Sequence, residues 1–348
     1  MSNEQLDSTR RDDVAWCFEA VHGVSRTFSL TISELEEPMA RDICVGYLLC
    51  RVADTIEDSG RIPAAEQAAL LRRYERVLDP EDPTTVDSFE RTVAEWVPAD
   101  PSADWRVVAN AGRVVSAFET VEPHARRSIR PPVRELVEGM AMFVDRYAEP
   151  GGLRIQTLDE LEEYCWYAAG TVGELVTGLV SKGDDPETVR RRHEHGRAFA
   201  LLLQLVNVAK DVADDYEEEN NVYLPHTFLD EAGLEPADVA DESNASAVAG
   251  VVERVVDHAA GYLDGAQRWL ETMPRTRGNT LAAWAVPYLL AVGTLRELRA
   301  RPEEVVERGD VKVSREEVHA LLSRFGEGDE PSVAELRDVM QQRPLDQA

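Results

Sequence analysis

Two pairs of aspartates in this chain are spaced for chemistry. Asp54 and Asp58 end a run, 43–53, that is apolar nearly all round, and Asp211 and Asp215 follow an equally apolar run, 201–209. On a helix, a spacing of four stacks both carboxylates on one face, where like charges repel unless a cation lies between them. Most acidic runs in a chain rich in Asp and Glu are solvated surface. These two differ, because each sits at the end of an apolar helix, where a stray carboxylate is costly. Each also has a cation beside it: Arg51 is one turn before Asp54, and Lys210 directly precedes Asp211. Gln204 and Asn207 extend the second pair into a polar stripe. Mg²⁺ takes one or two carboxylates and fills its other positions with water and phosphate oxygens. Two helices that each offer a paired Asp therefore suit a diphosphate held by bridging metal ions, with Glu57 and Asp214 as further donors. Neither cluster has the alternating acidic loop and central glycine of an EF-hand.

The elements that must carry these residues are helices. Apolar residues recur at spacings of three and four in 38–58, 63–78, 104–121, 133–148, 160–181, 187–217, 246–272, 279–300 and 315–324. Turn residues fall between them at Pro80 to Pro83, Pro98 to Pro101, Pro131-Pro132, Pro150 to Gly152 and Gly183 to Pro186. The stretch 229–247 reads as a loop. The expectation is an all-α fold in a single domain over 1–348, with a core of about 11–300 and a helical C-terminal tail over 301–348.

Composition narrows the function further. Among 348 residues, 66 are Asp or Glu and 37 are Lys or Arg, a formal net charge of -29. Nucleic acid is excluded as a partner, because phosphate-backbone binding needs a basic face. The lysines are Lys182, Lys210 and Lys312; every other basic residue is arginine. Abundant Asp and Glu with almost no Lys suggests a surface adapted to multimolar salt, where the Debye length is about 3 Å or less. A high-salt cytoplasm is the expected location. Cys17, Cys44, Cys50 and Cys165 form no C-x-x-C pair and sit among apolar neighbours, as core thiols of a reducing compartment do. His193 and His195, two apart, point away from each other on a helix and make no metal pair. The acidic opening segment is no signal peptide. The longest uncharged stretch, 278–295, holds Asn279, Thr280 and Pro287, and reads as a core helix rather than a membrane span. Peripheral contact with a bilayer is compatible with that reading. Rossmann and P-loop fingerprints are missing.

Taken with several other elements, the two acidic clusters resemble the D-x-x-E/D-D motifs of the squalene and phytoene synthase family. Ser25-Arg26-Thr27-Phe28 is similar to that family's S-R/K-S/T-F element, and Gly139-Met140-Ala141 to its G-M-A turn. Residues 164–173 resemble its Y-C-x-Y-x-A-G-x-V-G signature, and Val222-Tyr223-Leu224-Pro225 its closing aromatic-x-Pro element. The ordered matches span roughly residues 15 to 315. Within the family the first motif, D-T-I-E-D, the segment 284–295 and Val311-Lys312-Val313 look more like squalene synthase than phytoene synthase. Three positions depart from the pattern. Lys210 stands where Arg is usual and lacks its bidentate fork; Asp214 replaces Glu; Asn221 stands where many members have Arg, which weakens one expected diphosphate contact.

The resemblance implies an isoprenoid-synthase-type helical bundle around a central apolar cavity, and a Mg²⁺-dependent transferase, with Mn²⁺ as the alternative ion. Two farnesyl diphosphates would condense head to head through presqualene diphosphate, and NADPH would reduce the product to squalene. Asp54, Asp58, Asp211 and Asp215 would hold the metal ions. Ser25, Arg26, Thr27, Tyr47, Arg51, Gln204, Asn207 and Lys210 would bind diphosphate, and Tyr164 would act as acid/base. Phe28, Val172, Leu175, Leu201 and Leu205 would wall the cavity and exclude water. Blander roles exist: Ser25 as a helix cap, Tyr164 and Phe28 as core, and Gly170, Gly173 and Gly178 as close packing. No membrane anchor is expected. The competing functions are phytoene or dehydrosqualene synthesis without reduction, a class I terpene cyclase, and a non-catalytic acidic helical scaffold. The cyclase lacks support, because its N-x-x-x-S/T-x-x-x-E motif has Asp at 211.

Overall fold

A computed structural model describes residues 3–273, 280–307, 311–326 and 332–347, with backbone alone for 3–8, 26 and 27. In chain order the helices are α1 (Asn3–Val24), α2 (Arg26–Ser33), α3 (Met39–Glu57), α4 (Ala64–Leu78), α5 (Val86–Val93), α6 (Ala103–Ala109) and α7 (Ala111–Thr120). Then follow α8 (Pro123–Arg146), α9 (Leu158–Cys165), a π-helical turn (Trp166–Gly170), α10 (Thr171–Val180), α11 (Pro186–Lys210), α12 (Val212–Glu219) and α13 (His226–Ala232). The chain closes with α14 (Ala245–Ala260), α15 (Leu263–Leu270), α16 (Thr280–Ala300), α17 (Glu304–Glu307), α18 (Arg315–Gly326) and α19 (Val333–Gln342). Among the described residues there is no strand, only an isolated parallel bridge between Arg154 and Val222. The fold is all-α, as the periodicity requires.

Capping fixes many of the starts. Ser25, Thr85, Ser102, Thr157 and Ser332 each accept a hydrogen bond from the backbone N–H three residues on, at the heads of α2, α5, α6, α9 and α19. Several boundaries differ from the periodicity reading, which has no segment over α1, α2, α5, α13, α17 or α19. The prolines read as punctuation at 131 and 132 lie inside α8, which begins at Pro123. Each removes one backbone hydrogen bond. A buried face of Ala125, Ile129, Val133, Leu136, Val137 and Met140 runs straight through them and outweighs the loss. The 229–247 loop contains the end of α13 and two 3₁₀ turns, Pro236–Ala240 and Glu242–Asn244.

The chain forms two units. The first comprises 1–148, 171–189 and 274–280; the second comprises 149–170, 190–273 and 281–348. In the first, α3 is the central helix and packs against α1, α2, α4, α6, α7, α8 and α10. Between Met39 and Glu57 it is buried at fifteen positions, and each large apolar side chain there contributes about 1.5–3 kcal/mol. Gly46 brings α10 close, because a Cβ there would stand 3.2 Å from Leu175 Cδ1. Gly178 likewise presses α10 on α8, where a Cβ would meet Ser128 Cβ at 2.9 Å.

In the second unit, Phe199 of α11 stacks on Trp269 with centroids 4.3 Å apart, and Trp269 meets Trp284 of α16 edge-on at 6.0 Å. The helix Thr280–Ala300 is long and apolar enough to cross a membrane, but 72% of its apolar window is buried inside the protein. It is a core helix, as its Thr and Pro suggest. Residues 278 and 279 of the uncharged stretch lie outside the described residues. Arg296 of α16 forms a fork to Glu317 of α18, at 2.9 and 2.7 Å, and donates to the Met340 carbonyl at 2.8 Å. That clamp ties α19 to α16. All four cysteines are buried free thiols.

Candidate functional site

On α3 the partly accessible positions are Arg41, Tyr47, Arg51 and Asp54, with Asp58 at its C-cap; the rest of the helix is buried. The last four are spaced four, three and four residues apart, so they form one stripe. The first acidic pair therefore lies along the open line of an otherwise buried helix, one turn from an arginine and two from a tyrosine. Gln67 fixes the end of this helix: its amide nitrogen lies 2.9–3.1 Å from the carbonyls of Ile56, Glu57 and Ser59. Glu57 points inward and is buried, so it does not share the stripe.

Arg51 is held from outside α3. Its Nε donates to Asp104 Oδ1 at 2.7 Å, and its Nη1 stands 3.8 Å from Asp54 Oδ2. Burial pushes the Asp54 carboxyl up to about 7; Arg51 opposes this, while Asp58 and Asp104 add to it. Asp58 is raised too, again chiefly by burial, against the pull of Arg51 and a hydrogen bond from Glu57. Tyr47 is pushed up to about 12 by burial, against Arg51. Its ring stacks on Phe28 with centroids 4.0 Å apart and 18° between planes. Ser25 caps α2 through Phe28 N–H at 3.1 Å and also hydrogen-bonds Tyr47. The side chains of Arg26 and Thr27 lie outside the described residues. On α10, Val172 is partly accessible and Leu175 is buried against Gly46. A surface hollow of about 580 Å³, lined in part by Arg10, Arg41 and Glu119, does not involve Tyr47, Arg51, Asp54 or Asp58.

In the second unit, Gln204, Asn207, Asp211 and Asp215 also share one accessible line, while Leu201 and Leu205 are fully buried. The helix breaks at Asp211, with φ -105° and ψ 21°, yet Asp215 N–H still donates to the Asp211 carbonyl at 2.8 Å. Lys210 is ion-paired with the Asp211 carboxylate, and Asp214 is exposed. Tyr164 is 3% exposed, and its hydroxyl lies 3.1 Å from that of Tyr223. Asn221 donates to the Tyr223 hydroxyl at 3.1 Å and accepts from Leu153 N–H at 2.8 Å. Beyond Tyr164 the chain makes the π-helical turn, where a Cβ on Gly170 would stand 2.4 Å from the Trp166 ring. Such turns re-aim side chains and cluster at functional sites.

Among the described residues, no three His, Cys, Asp or Glu side chains are grouped to hold a metal ion alone. Each site instead offers a carboxylate pair, the donor set of a Mg²⁺ that takes its other oxygens from water and a phosphate ligand. Burial of the first pair makes a cation there favourable. Sequence reasoning missed Asp104, which lies 53 residues from Arg51 and shares no motif with it. It also left Tyr223 as a motif letter rather than the partner of Tyr164.

The family model for squalene/phytoene synthase matches residues 21–317. The chain is 28% identical over 313 residues to the Botryococcus squalene synthase of Botryococcus braunii, covering 89% of this chain and 62% of that protein. It is 25% identical over 304 residues to squalene synthase 1 of Arabidopsis thaliana, covering 86% of this chain and 68% of that one. Thus it spans roughly two thirds of these relatives' length. Among solved structures, TcSQS with the ligand E5700 superposes with a TM-score of 0.78 at 20% identity, covering 94% of this chain and 90% of that one. A dehydrosqualene synthase with bound ligand gives 0.64 at 20%, covering 92% and 98%. These similarities establish the isoprenoid-synthase-type helical fold, and with the matched residues they show that this chain belongs to the squalene/phytoene synthase family.

Proposed function

We propose that this protein is a prenyltransferase that joins two farnesyl diphosphates head to head through presqualene diphosphate and reduces the product to squalene. The observation that carries the reading is the stripe Tyr47, Arg51, Asp54 and Asp58, the accessible line of a helix buried elsewhere. Its counterpart is Gln204, Asn207, Asp211 and Asp215 in the second unit. Each stripe would bind one diphosphate, with Asp54 and Asp58, or Asp211 and Asp215, as the residues that would hold Mg²⁺. The bound ion would offset the charge that develops on the departing diphosphate. Arg51 and Tyr47 donate to phosphate oxygens in the first unit and Lys210 in the second.

Breaking the allylic C–O bond releases diphosphate and leaves a carbocation. The double bond of the second farnesyl group attacks it, and a proton must leave to close the cyclopropane. Tyr164, hydrogen-bonded to Tyr223, is the residue that relays that proton, passing its own to the released diphosphate as it takes up the one lost. NADPH would supply the hydride of the reductive step. Apolar walls that include Phe28 and Val172 keep water from the cation. The acidic, lysine-poor surface suits a high-salt cytoplasm.

A second reading stops before reduction. It is favoured by 24% identity over 305 residues to a presqualene diphosphate synthase of Botryococcus braunii. Incubation with farnesyl diphosphate and Mg²⁺ in high salt, with and without NADPH, separates the readings by product. Squalene formed only with NADPH supports the first reading; presqualene diphosphate or dehydrosqualene under both conditions supports the second. Absence of Mg²⁺-dependent pyrophosphate release refutes both and leaves an inert scaffold, a precedent for which is the inactive squalene synthase 2 of Arabidopsis thaliana, 23% identical over 286 residues.

A further inference from the structure

We infer that Arg154 supplies the diphosphate-binding cation that position 221 lacks, acting from across the bridge that pairs it with Val222. The inference rests on the diphosphate chemistry proposed above. Asn221, where an arginine is expected, has no spare capacity for a phosphate. It is 2% exposed, and its amide is spent on Leu153, Glu219 and Tyr223. The other cation of this region, Lys210, is paired with Asp211.

Arg154 is differently placed. It precedes α9 and lies against the C-terminal turn of α12, where its Nη2 donates to Asn220 Oδ1 at 2.7 Å. Its Nη1 donates to the carbonyls of Leu153 and Asn220. Its guanidinium carbon lies 5.9 Å from the ring centre of Tyr216, the residue next to Asp215. All these partners are neutral, and among the described residues no carboxylate pairs with Arg154. Burial accordingly holds its pKa below the ordinary arginine value. A half-buried cation without a counter-charge is costly in an acidic protein unless an anion arrives. Three N–H groups are engaged, so Nε and one Nη2 hydrogen remain for a ligand. From Asn220 back to Asp215 is about 7.5 Å along α12. A diphosphate gripped at Asp215 would reach Arg154 past Tyr216, whose ring lies 5.9 Å from the guanidinium carbon.

The alternative role is a plain C-terminal cap for α12, satisfying the Asn220 carbonyl and the helix dipole. Gln and Lys variants separate the two, since glutamine keeps a donor without charge and lysine keeps the charge. The readout is the affinity of inorganic pyrophosphate with Mg²⁺, measured by calorimetry and as inhibition of farnesyl diphosphate turnover, alongside the unliganded thermal midpoint. Arg154→Gln should weaken pyrophosphate about tenfold or more, the loss of a hydrogen bond to a charged partner, with Arg154→Lys within about threefold of wild type. If both variants bind as wild type does, or both lose affinity equally, the inference is overturned. A measurement on the unaltered protein guards against misfolding: Mg²⁺-pyrophosphate should protect Arg154 from phenylglyoxal, read by peptide mass spectrometry. Binding without that protection overturns the assignment of Arg154 alone. No pyrophosphate binding by wild type overturns the functional reading with it.

Discussion

Replacing Asp104 with alanine tests whether Arg51 is positioned from outside its own helix. Arg51 Nε sits 2.7 Å from Asp104 Oδ1, whereas the contact with Asp54 is 3.8 Å. Both Arg51 and Asp104 are 27% exposed, so an effective dielectric near 20 applies, and unit charges 4 Å apart attract by about 4 kcal/mol. That pull exceeds the roughly 2 kcal/mol of rotamer entropy an arginine loses on being fixed. Without Asp104 the guanidinium should therefore fold onto Asp54 and cover a carboxylate oxygen that a metal ion needs. The expected result for Asp104→Ala is a three- to tenfold rise (about 0.7–1.4 kcal/mol) in the Mg²⁺ concentration giving half-maximal pyrophosphate release. Thermal stability should change little, because a first-turn acid in α6 is worth only about 0.3–1 kcal/mol. Since Asp104 acts through Arg51, adding Asp104→Ala to Arg51→Ala should raise the Mg²⁺ requirement no further. A Mg²⁺ requirement unchanged within twofold in the single variant, or an undiminished effect in the Arg51→Ala background, would refute the reasoning.

Three further outcomes are expected. Tyr164→Phe should lower kcat by about 10²–10⁴ with little change in KM, the range for a lost general acid or base, and Tyr223→Phe should lower it less; equal rates for Tyr164→Phe and wild type would return Tyr164 to the core. Glu162 is pushed up by burial, but hydrogen bonds from Tyr262 and His258 and the charges of His258 and Arg197 outweigh this and hold it below its ordinary value. Its stabilising contribution is complete above about pH 4.5 and is lost as pH falls through its depressed native value, so the acid-unfolding profile of Glu162→Gln should be flatter than wild type. Parallel profiles would show that the network carries no such linkage. Glu317 is 1% exposed and Arg296 10%, so Glu317→Ala leaves the buried Arg296 guanidinium with Glu297 as its remaining carboxylate and should cost about 1–3 kcal/mol in denaturant unfolding. A loss under about 1 kcal/mol would mean that the clamp on α19 is dispensable.

What was legible in the sequence was local. Asp54 and Asp58 announce their shared face because four-residue spacing is itself geometry, and the apolar run before them announces burial. The Ser25 cap and the apolar helix Thr280–Ala300 were readable for the same reason. What escaped depends on contacts distant in sequence. Asp104 carries no sign that it will meet Arg51, and nothing in the letters of Tyr164 and Tyr223 joins their hydroxyls. Pro131 and Pro132 were misread because propensity treats proline as a breaker, whereas α8 is held by a face that continues on both sides of them. The break at Asp211 and the π-helical turn at Trp166–Gly170 are hidden likewise, since one displaced residue leaves helical periodicity almost intact. These concealed irregularities fall inside or beside the family's signature segments, where consistency of backbone geometry yields to the aiming of side chains.

Charge accounting reconciles the proposed diphosphate substrate with so acidic a protein. Asp54 and Asp58 of the α3 stripe and Asp104 of α6 outnumber Arg51, so ionising all three leaves an excess of two negative charges in a half-buried place. Burial resists that state, as the raised carboxyls of Asp54 and Asp58 record. One divalent ion offsets the excess, and its remaining coordination positions then favour phosphate oxygens over further carboxylates. On the proposed function the acidic stripe is unfavourable alone and would become attractive to an anion only through a metal ion, so diphosphate binding would be conditional on Mg²⁺. Arg51 and Arg154, restrained by singly charged or neutral neighbours, would then be in place to meet the oxygens that such an ion does not reach.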